Sequence, residues 1–234
     1  MKKSKEAKDV TSMEKKKSNR TYRLVLTGIL SAIAIVLMYF EFSVPFMPPF
    51  LKMDFSEIPV LFGAFALGPL AAIAIEFIKN LFHLPTSGTA YVGELANFLA
   101  GVAFAGTAGW VFKYLPTRKK GNQKDLSAPR AEEANAKPMS AQKRVILGMA
   151  AGTIAMTIFT SFFNYFFMID FYSRLFGVSM DVIVKMTAEL NRLVTDLHTL
   201  VVFAFIPFNL FKGIVISVIT GFLYGRLAPI LRKR

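Results

Sequence analysis

Four stretches of this sequence, Tyr22 to Phe40, Tyr91 to Leu115, Val145 to Met168 and Leu197 to Tyr224, are each apolar over a length that can cross a bilayer. A helix needs about 20 such residues to do so. A fifth apolar stretch, Val60 to Leu84, is interrupted by Gly68-Pro69. Proline removes a backbone donor and its ring clashes with the preceding turn, so this region reads as two short helices, 57 to 67 and 69 to 83. In hydrocarbon every backbone polar group must be satisfied within the chain, which leaves helix as the form these segments take. The expected fold class is an all-α membrane protein with six transmembrane helices.

Charge is segregated from these stretches, and it orients them. Residues 1 to 23, residues 113 to 144 and the tail from Arg226 together hold 22 of the 28 Lys and Arg residues, while everything else carries a net −3. Short basic loops stay in the cytoplasm. With six crossings all three basic blocks fall on that side, and so do both termini; with five they do not. The expected organisation is a disordered basic arm over 1 to 21, a membrane domain over 22 to 228 with a flexible cytoplasmic loop at 116 to 143, and a basic tail over 229 to 234. The N-terminal block does not read as a cleaved signal, because its polar part is long and no small-residue cleavage site follows. A net charge of +13 would suggest nucleic acid in a soluble fold, but here the bilayer is the expected partner and nucleic acid is not.

Ionisable groups at membrane depth cost roughly 2.5 to 3.5 kcal/mol each and default to functional sites. Lys212 lies about 20 Å from either end of its segment, too deep to reach water along its own stem. Asn209 is three residues earlier and shares its helix face. Glu94 with Asn97, Asn164 amid aromatics, and the triad Glu76, Lys79 and Asn80 repeat the pattern on three other helices. All fall in the outer half of the bundle, so a shared cavity opening outward is expected. Glu94 is the expected partner for Lys212, whereas Glu76 with Lys79 or Lys52 reads equally well as structural pairing. Carboxamides both donate and accept; with Phe162, Phe163, Tyr165 and Phe208 they suit a flat, neutral, amide-bearing ring.

Catalysis finds little support. His83 and His198 stand alone and read as structural, no metal cluster appears, and GFLYGRL (221 to 227) lacks the lysine of a phosphate loop. The absence of cysteine excludes disulfides and thiolate chemistry. The connector 41 to 59, rich in proline and large apolar residues, reads as a lid or an interfacial loop, with Ser56 as a cap for the second helix.

The strings PPFLKMDFSEIP, EFIKNLFHLPTSGTA, GELANF and FNLFKG together resemble the riboflavin-specific substrate-binding (S) components of energy-coupling factor (ECF) vitamin transporters, the RibU type. The resemblance covers about 22 to 228 apart from the 116 to 143 loop. It implies the six-helix S-component fold with an outward-facing pocket, and riboflavin bound as a substrate, with no cofactor and no enzymatic activity. Flavin mononucleotide stands open as a second ligand. The partners implied are a transmembrane coupling protein and two ATPase subunits, in the cell membrane of a Gram-positive type bacterium. The family's binding positions fall on Leu51, Gly93, Glu94, Asn97, Asn164, Asn209 and Lys212. Its docking face, two alanines four residues apart, has Gly28 and Ala32 as the nearest match. Alternatives are an S component for another small vitamin, a carrier that works alone on an ion gradient, and a protein whose polar residues serve only helix packing.

Overall fold

The computed structural model describes residues 2–48, 50–88, 91–117, 139–177 and 179–231. Most of the loop expected at 116 to 143 lies outside the described residues, as does the end of the basic tail.

Helix α1 (Lys2–Met38) begins within the basic arm rather than after it, an arm rich in the helix formers Lys, Glu, Ala and Met. Its part from Asn19 to Met38 is long and apolar enough to cross a membrane. The connector that follows forms two short antiparallel strands, β1 (Phe42–Ser43) and β2 (Lys52–Met53). Helices α2 (Glu57–Leu67) and α3 (Pro69–His83) have the bounds that Gly68-Pro69 predicts. Gly68 sits at φ +99°, a conformation open to glycine, and Pro69 occupies the first turn of α3, where its missing N–H costs nothing. Ser56 stands at the start of α2 but its side chain makes no cap. The Ser56 hydroxyl instead accepts from Lys79 Nζ over 2.8 Å.

The two short helices fold back on one another: Gly63 faces Ile75, and Lys79 bonds to Glu57. Helix α1 runs alongside both. Arg23 donates to the carbonyl of Leu67, at the turn, over 2.8 Å, and the Tyr39 hydroxyl donates to the carbonyl of Phe82, near the opposite end, over 3.0 Å. Those two contacts are about 24 Å apart along α1.

Three further rods complete the bundle. Helix α4 (Val92–Gly101) continues through a π-helical stretch, Val102–Gly106, into α5 (Thr107–Tyr114). Helix α6 (Ala141–Phe163), capped by the Ser140 hydroxyl accepting from the Lys143 N–H, runs through a second π stretch, Asn164–Met168, into α7 (Ile169–Phe176). Helix α8 (Met180–Ala188) follows. Then α9 (Leu197–Leu200), capped by Asp196, passes through a third π stretch, Val201–Phe205, into α10 (Ile206–Leu231). Among the described residues four helices are long and apolar enough to cross a membrane: Asn19–Met38, Val92–Tyr114, Ala141–Phe167 and Leu197–Arg226.

The main core, with Leu61, Ile75, Phe104, Val145 and Ile216 fully buried, lies between α1, α2, α3, the π stretch Val102–Gly106, α5, α6 and α10. Gly148, Gly152 and Gly213 let α5, α6 and α10 approach closely, since a Cβ at any of them would meet a neighbouring carbonyl or Thr153 within 2.6 Å. A second cluster, built on Ile183, Leu200 and Phe205 with Phe50 and Leu51 against it, packs α8 and the strand connector over the other end of the bundle. The outward flanks of α1, α6 and α10 expose Val25, Ile29, Ile158 and Val218, as helices facing lipid do.

Candidate ligand-binding site

Between the two clusters lies a cavity of about 210 Å³. Each wall comes from a different element for a local reason. The β1–β2 pair delivers Leu51 and Lys52 and then turns Asp54 inward, where it is buried. Tyr91 adopts a left-handed conformation that aims the first turn of α4, so that Gly93, Glu94 and Asn97 face inward. Asn164 opens the π stretch after α6, and Phe208, Asn209 and Lys212 follow the π stretch before α10. Such single π turns are frequent at functional sites because they re-aim the side chains beside them. All seven positions, Leu51, Gly93, Glu94, Asn97, Asn164, Asn209 and Lys212, line this one cavity.

The polar groups are partly committed, which determines what they still offer. Asn209 donates one N–H to the carbonyl of Phe205 over 2.8 Å, and Asn164 one to the carbonyl of Thr160 over 2.7 Å. Each then has an oxygen and a second N–H in hand. Lys212 Nζ lies 3.3 Å from Asp54 Oδ2 and 3.3 Å from Asn97 Oδ1. An ammonium has three donors, so one N–H of Lys212 remains for a ligand. Burial works to raise the Asp54 pKa, but the Lys212 and Lys79 ammonium groups and hydrogen bonds from Ser56 outweigh it and hold the carboxyl at about 2, against an ordinary 3.8.

The partner of Lys212 is therefore Asp54, 158 residues away in sequence, and not Glu94. Glu94 is held instead by His83, whose Nδ1 is 3.1 Å from Oε1, and by the Ser87 hydroxyl, which donates to Oε2 over 2.6 Å. His83 is thus a wall of the cavity rather than a solitary residue, while His198 packs edge-on against Tyr165. Lys79 pairs with Glu57 and Glu76, and Lys52 with Glu41. The aromatic lining also differs from expectation. Phe208 is joined by Phe50 and Phe205, whereas Phe162 is exposed against Phe166, and Phe163 stacks between Phe159 and Phe167 along the outer flank. Helical spacing puts them there: Phe159, Phe163 and Phe167 follow one another at i, i+4 on one stripe. Asp54, Phe50, Phe205, Thr160 and Ile183 are lining residues the sequence reading passed over; only Asp54, an acid among apolar neighbours, carries a signal that could have found it.

Of the docking pair, Gly28 and Ala32 are both exposed on one flank of α1, and Ala34 is fully buried on the other.

Comparison with known proteins agrees over nearly the whole chain. The family profile "ECF transporter, substrate-specific component" matches residues 22–224. The riboflavin transporter RibU of Staphylococcus aureus is 34% identical over 90% of this chain and 93% of its own length. The riboflavin transporter FmnP of Bacillus subtilis is 31% identical over 91% and 95%. A solved structure described as the S component of a bacterial ECF transporter is 34% identical, covers 92% of this chain and 99% of that one, and superposes with a TM-score of 0.63. The family consists of membrane transport components rather than enzymes. With the profile spanning 22–224 and the fold shared along the same length, the chain belongs to the substrate-specific components of ECF transporters.

Proposed function

We propose that this protein binds riboflavin from outside the cell as the substrate-specific subunit of an ATP-driven vitamin importer. The observation that carries the reading is the chemistry of the cavity: two carboxamides with an acceptor and a donor each in hand, one free ammonium N–H, and aromatic walls from Phe50, Phe205 and Phe208. The pyrimidine edge of a flavin alternates carbonyl oxygens and an imide N–H, which such groups meet in pairs, and its ring system suits the aromatic walls. The polyol hydroxyls both donate and accept, so the Glu94 carboxylate can take their protons and the Asn97 carboxamide can bond them either way. The riboflavin transporters of S. aureus and B. subtilis, related along almost their full lengths, support the same substrate. The seven lining positions named above are the proposed ligand contacts.

Six crossings are supported by the α2–α3 hairpin. Its turn and open end lie about 24 Å apart along α1, most of a hydrocarbon core that is about 30 Å thick. Orientation follows from charge. Arg23, Lys113, Arg144 and Arg226 gather at the end opposite the cavity, where Arg144 donates to the carbonyl of Phe112 and Arg23 to that of Leu67. With basic residues inside, both termini are cytoplasmic and the cavity opens outward. The cavity is smaller than the roughly 300 to 1,000 Å³ of typical ligand pockets, so the β1–β2 connector and α8, which cover it, move apart to admit a flavin. Coupling to the transmembrane protein and its two ATPases uses the exposed Gly28 and Ala32 flank of α1.

Titration of riboflavin fluorescence with the detergent-purified protein tests the binding claim. The expected result is saturable quenching at one flavin per chain that weakens on Asn209→Ala; unquenched fluorescence at every protein concentration contradicts it.

A further inference from the structure

The strings DFSEIP and EFIKN hold charged residues that touch no ligand in this reading, yet they are among the most buried in the protein. Lys79, Glu76 and Ser56 are 0% exposed and Glu57 is 1%. Glu76, Lys79 and Asn80 fall at i, i+3 and i+4 on one face of α3, and that face meets the start of α2 on one side and α4 on the other. The result is a closed ring of polar contacts. From Lys212 it runs to Asn97 Oδ1 over 3.3 Å, and Asn97 Nδ2 donates to Asn80 Oδ1 over 3.1 Å. Asn80 Nδ2 donates to the carbonyl oxygen of Glu76 over 2.9 Å and to its Oε2 over 3.3 Å. Glu76 Oε1 is 3.0 Å from Lys79 Nζ, which donates to Ser56 Oγ over 2.8 Å and to Glu57 Oε1 over 2.7 Å. The Ser56 N–H donates to Asp54 Oδ1 over 2.7 Å, and Asp54 Oδ2 returns to Lys212 over 3.3 Å.

The donors and acceptors in this ring have only one consistent arrangement. The backbone carbonyl of Glu76 can only accept, so Asn80 must turn its Nδ2 toward it and offer its Oδ1 to the other side. Asn97 must then donate to Asn80 through Nδ2 and turn its own Oδ1 to the Lys212 ammonium, which can only donate. On the opposite arm Lys79 fixes Ser56, and the Ser56 backbone fixes the Asp54 carboxylate that shares Lys212. Asn80 and Lys79 line no part of the cavity.

We infer that Asn80 and Lys79 are positioning residues for ligand binding: acting through Asn97 and Asp54, they set the side-chain orientation of Asn97 and the aim of the Lys212 ammonium. The inference rests on the reading of the cavity as a flavin site. Without Asn80 the Asn97 Nδ2 loses its acceptor, so the carboxamide that receives Lys212 through Oδ1 is no longer anchored on its far side and the ammonium it aims is free to shift.

The test is a double-mutant cycle on riboflavin affinity in the full-length protein, read by fluorescence quenching and accompanied by ligand-free thermal unfolding. Asn80→Leu is expected to weaken riboflavin by at least about tenfold in otherwise wild-type protein. In a Lys212→Met background the same change is expected to cost at least about threefold less than in wild type, because one of the two groups it aims is gone and only Asn97 remains. Equal losses in both backgrounds reduce Asn80 to a generic packing residue and overturn the inference, as does folded Asn80→Leu protein with wild-type affinity. If Asn80→Leu fails to fold, Asn80→Gln takes its place against Asn80→Ala: the glutamine keeps both the acceptor for Asn97 and the donor to Glu76 and is expected to bind at least fivefold more tightly than the alanine variant. Equal affinities of those two overturn the inference. A wild-type protein that binds no riboflavin defeats the functional reading itself, whereas wild type that binds alongside variants that bind equally well defeats only the ring.

Discussion

Replacing Lys212 by methionine removes the charge at the centre of the cavity while keeping most of the volume of its stem, and it has two consequences that can be read separately. The first concerns the ligand. The one uncommitted N–H of Lys212 is a charged donor, and a hydrogen bond to a charged group contributes about 1.5 to 3 kcal/mol. At about 1.4 kcal/mol per decade, riboflavin affinity is expected to fall by roughly 10- to 150-fold. The second concerns the fold. Asp54 is 4% exposed and Lys212 6%, so the variant leaves a buried carboxylate without its counter-ion. Breaking a fully buried pair costs about 3 to 5 kcal/mol; the adjoining cavity admits water, which puts this one near about 3 kcal/mol. For a chain of this size that lowers the apparent Tm in detergent by about 6 to 12 °C. Adding Asp54→Asn removes the orphaned charge, so the double variant regains most of the lost thermal stability but none of the affinity. Fluorescence titration and thermal unfolding on wild type and these two variants measure both. A Lys212→Met protein with wild-type riboflavin affinity refutes the role given to the ammonium, and a double variant that regains affinity refutes the separation.

Gly101 abuts the Glu76 side chain, and a Cβ there would overlap its carboxyl group. Gly101→Ala is therefore expected to cost about 1 to 3 kcal/mol of stability, seen as a lower apparent Tm, and to weaken riboflavin by displacing Glu76 from its contact with Asn80. Flavin mononucleotide is expected to bind at least about tenfold more weakly than riboflavin. Its phosphate carries about −1.5 to −2 charges at neutral pH, while Lys212 and Lys52 are already paired with Asp54 and Glu41 and no arginine is among the described lining residues. Competition titrations at pH 5.5 and 7.5 check this, the gap narrowing at the lower pH as the phosphate gains a proton. The Asp54 pKa is lowered in the folded state, so its contribution is complete above about pH 4 and is lost as pH falls toward about 2. The difference in apparent Tm between wild type and Asp54→Asn should be constant from pH 7 to 5 and shrink between pH 4 and 2.5.

Much of this architecture is legible because lipid imposes so few choices. Length and apolarity locate the four long spans, and Gly68-Pro69 alone places the boundary between α2 and α3. Polar residues in apolar surroundings, Glu94, Asn97, Asn164, Asn209 and Lys212, are conspicuous for the same reason, and the cavity gathers them. Leu51 and Gly93 carry no such contrast: an apolar side chain in an apolar connector and a residue with no side chain emerge only through the family resemblance. Helices α7 and α8 escape because they are short and amphipathic, with a period that does not signal a membrane span. The π stretches leave no trace in composition, since they are a change of hydrogen-bond register. Partner choice is the least legible feature. Glu94 looks like the mate of Lys212 when helices are ranked by depth, but the β1–β2 connector folds back over the bundle and brings Asp54 closer. The aromatic prediction fails similarly, because Phe162 and Phe163 lie beside Asn164 in sequence but turn about 200° and 100° away from it around the helix.

Whether this protein holds riboflavin is decided by the absorbance spectrum of the full-length chain, purified in mild detergent from cells supplied with the vitamin. Yellow protein is expected, with a visible flavin band corresponding to about one riboflavin per chain, and most of that band is lost in Lys212→Met purified the same way. Colourless wild-type protein that also leaves added riboflavin fluorescence unquenched would contradict riboflavin binding.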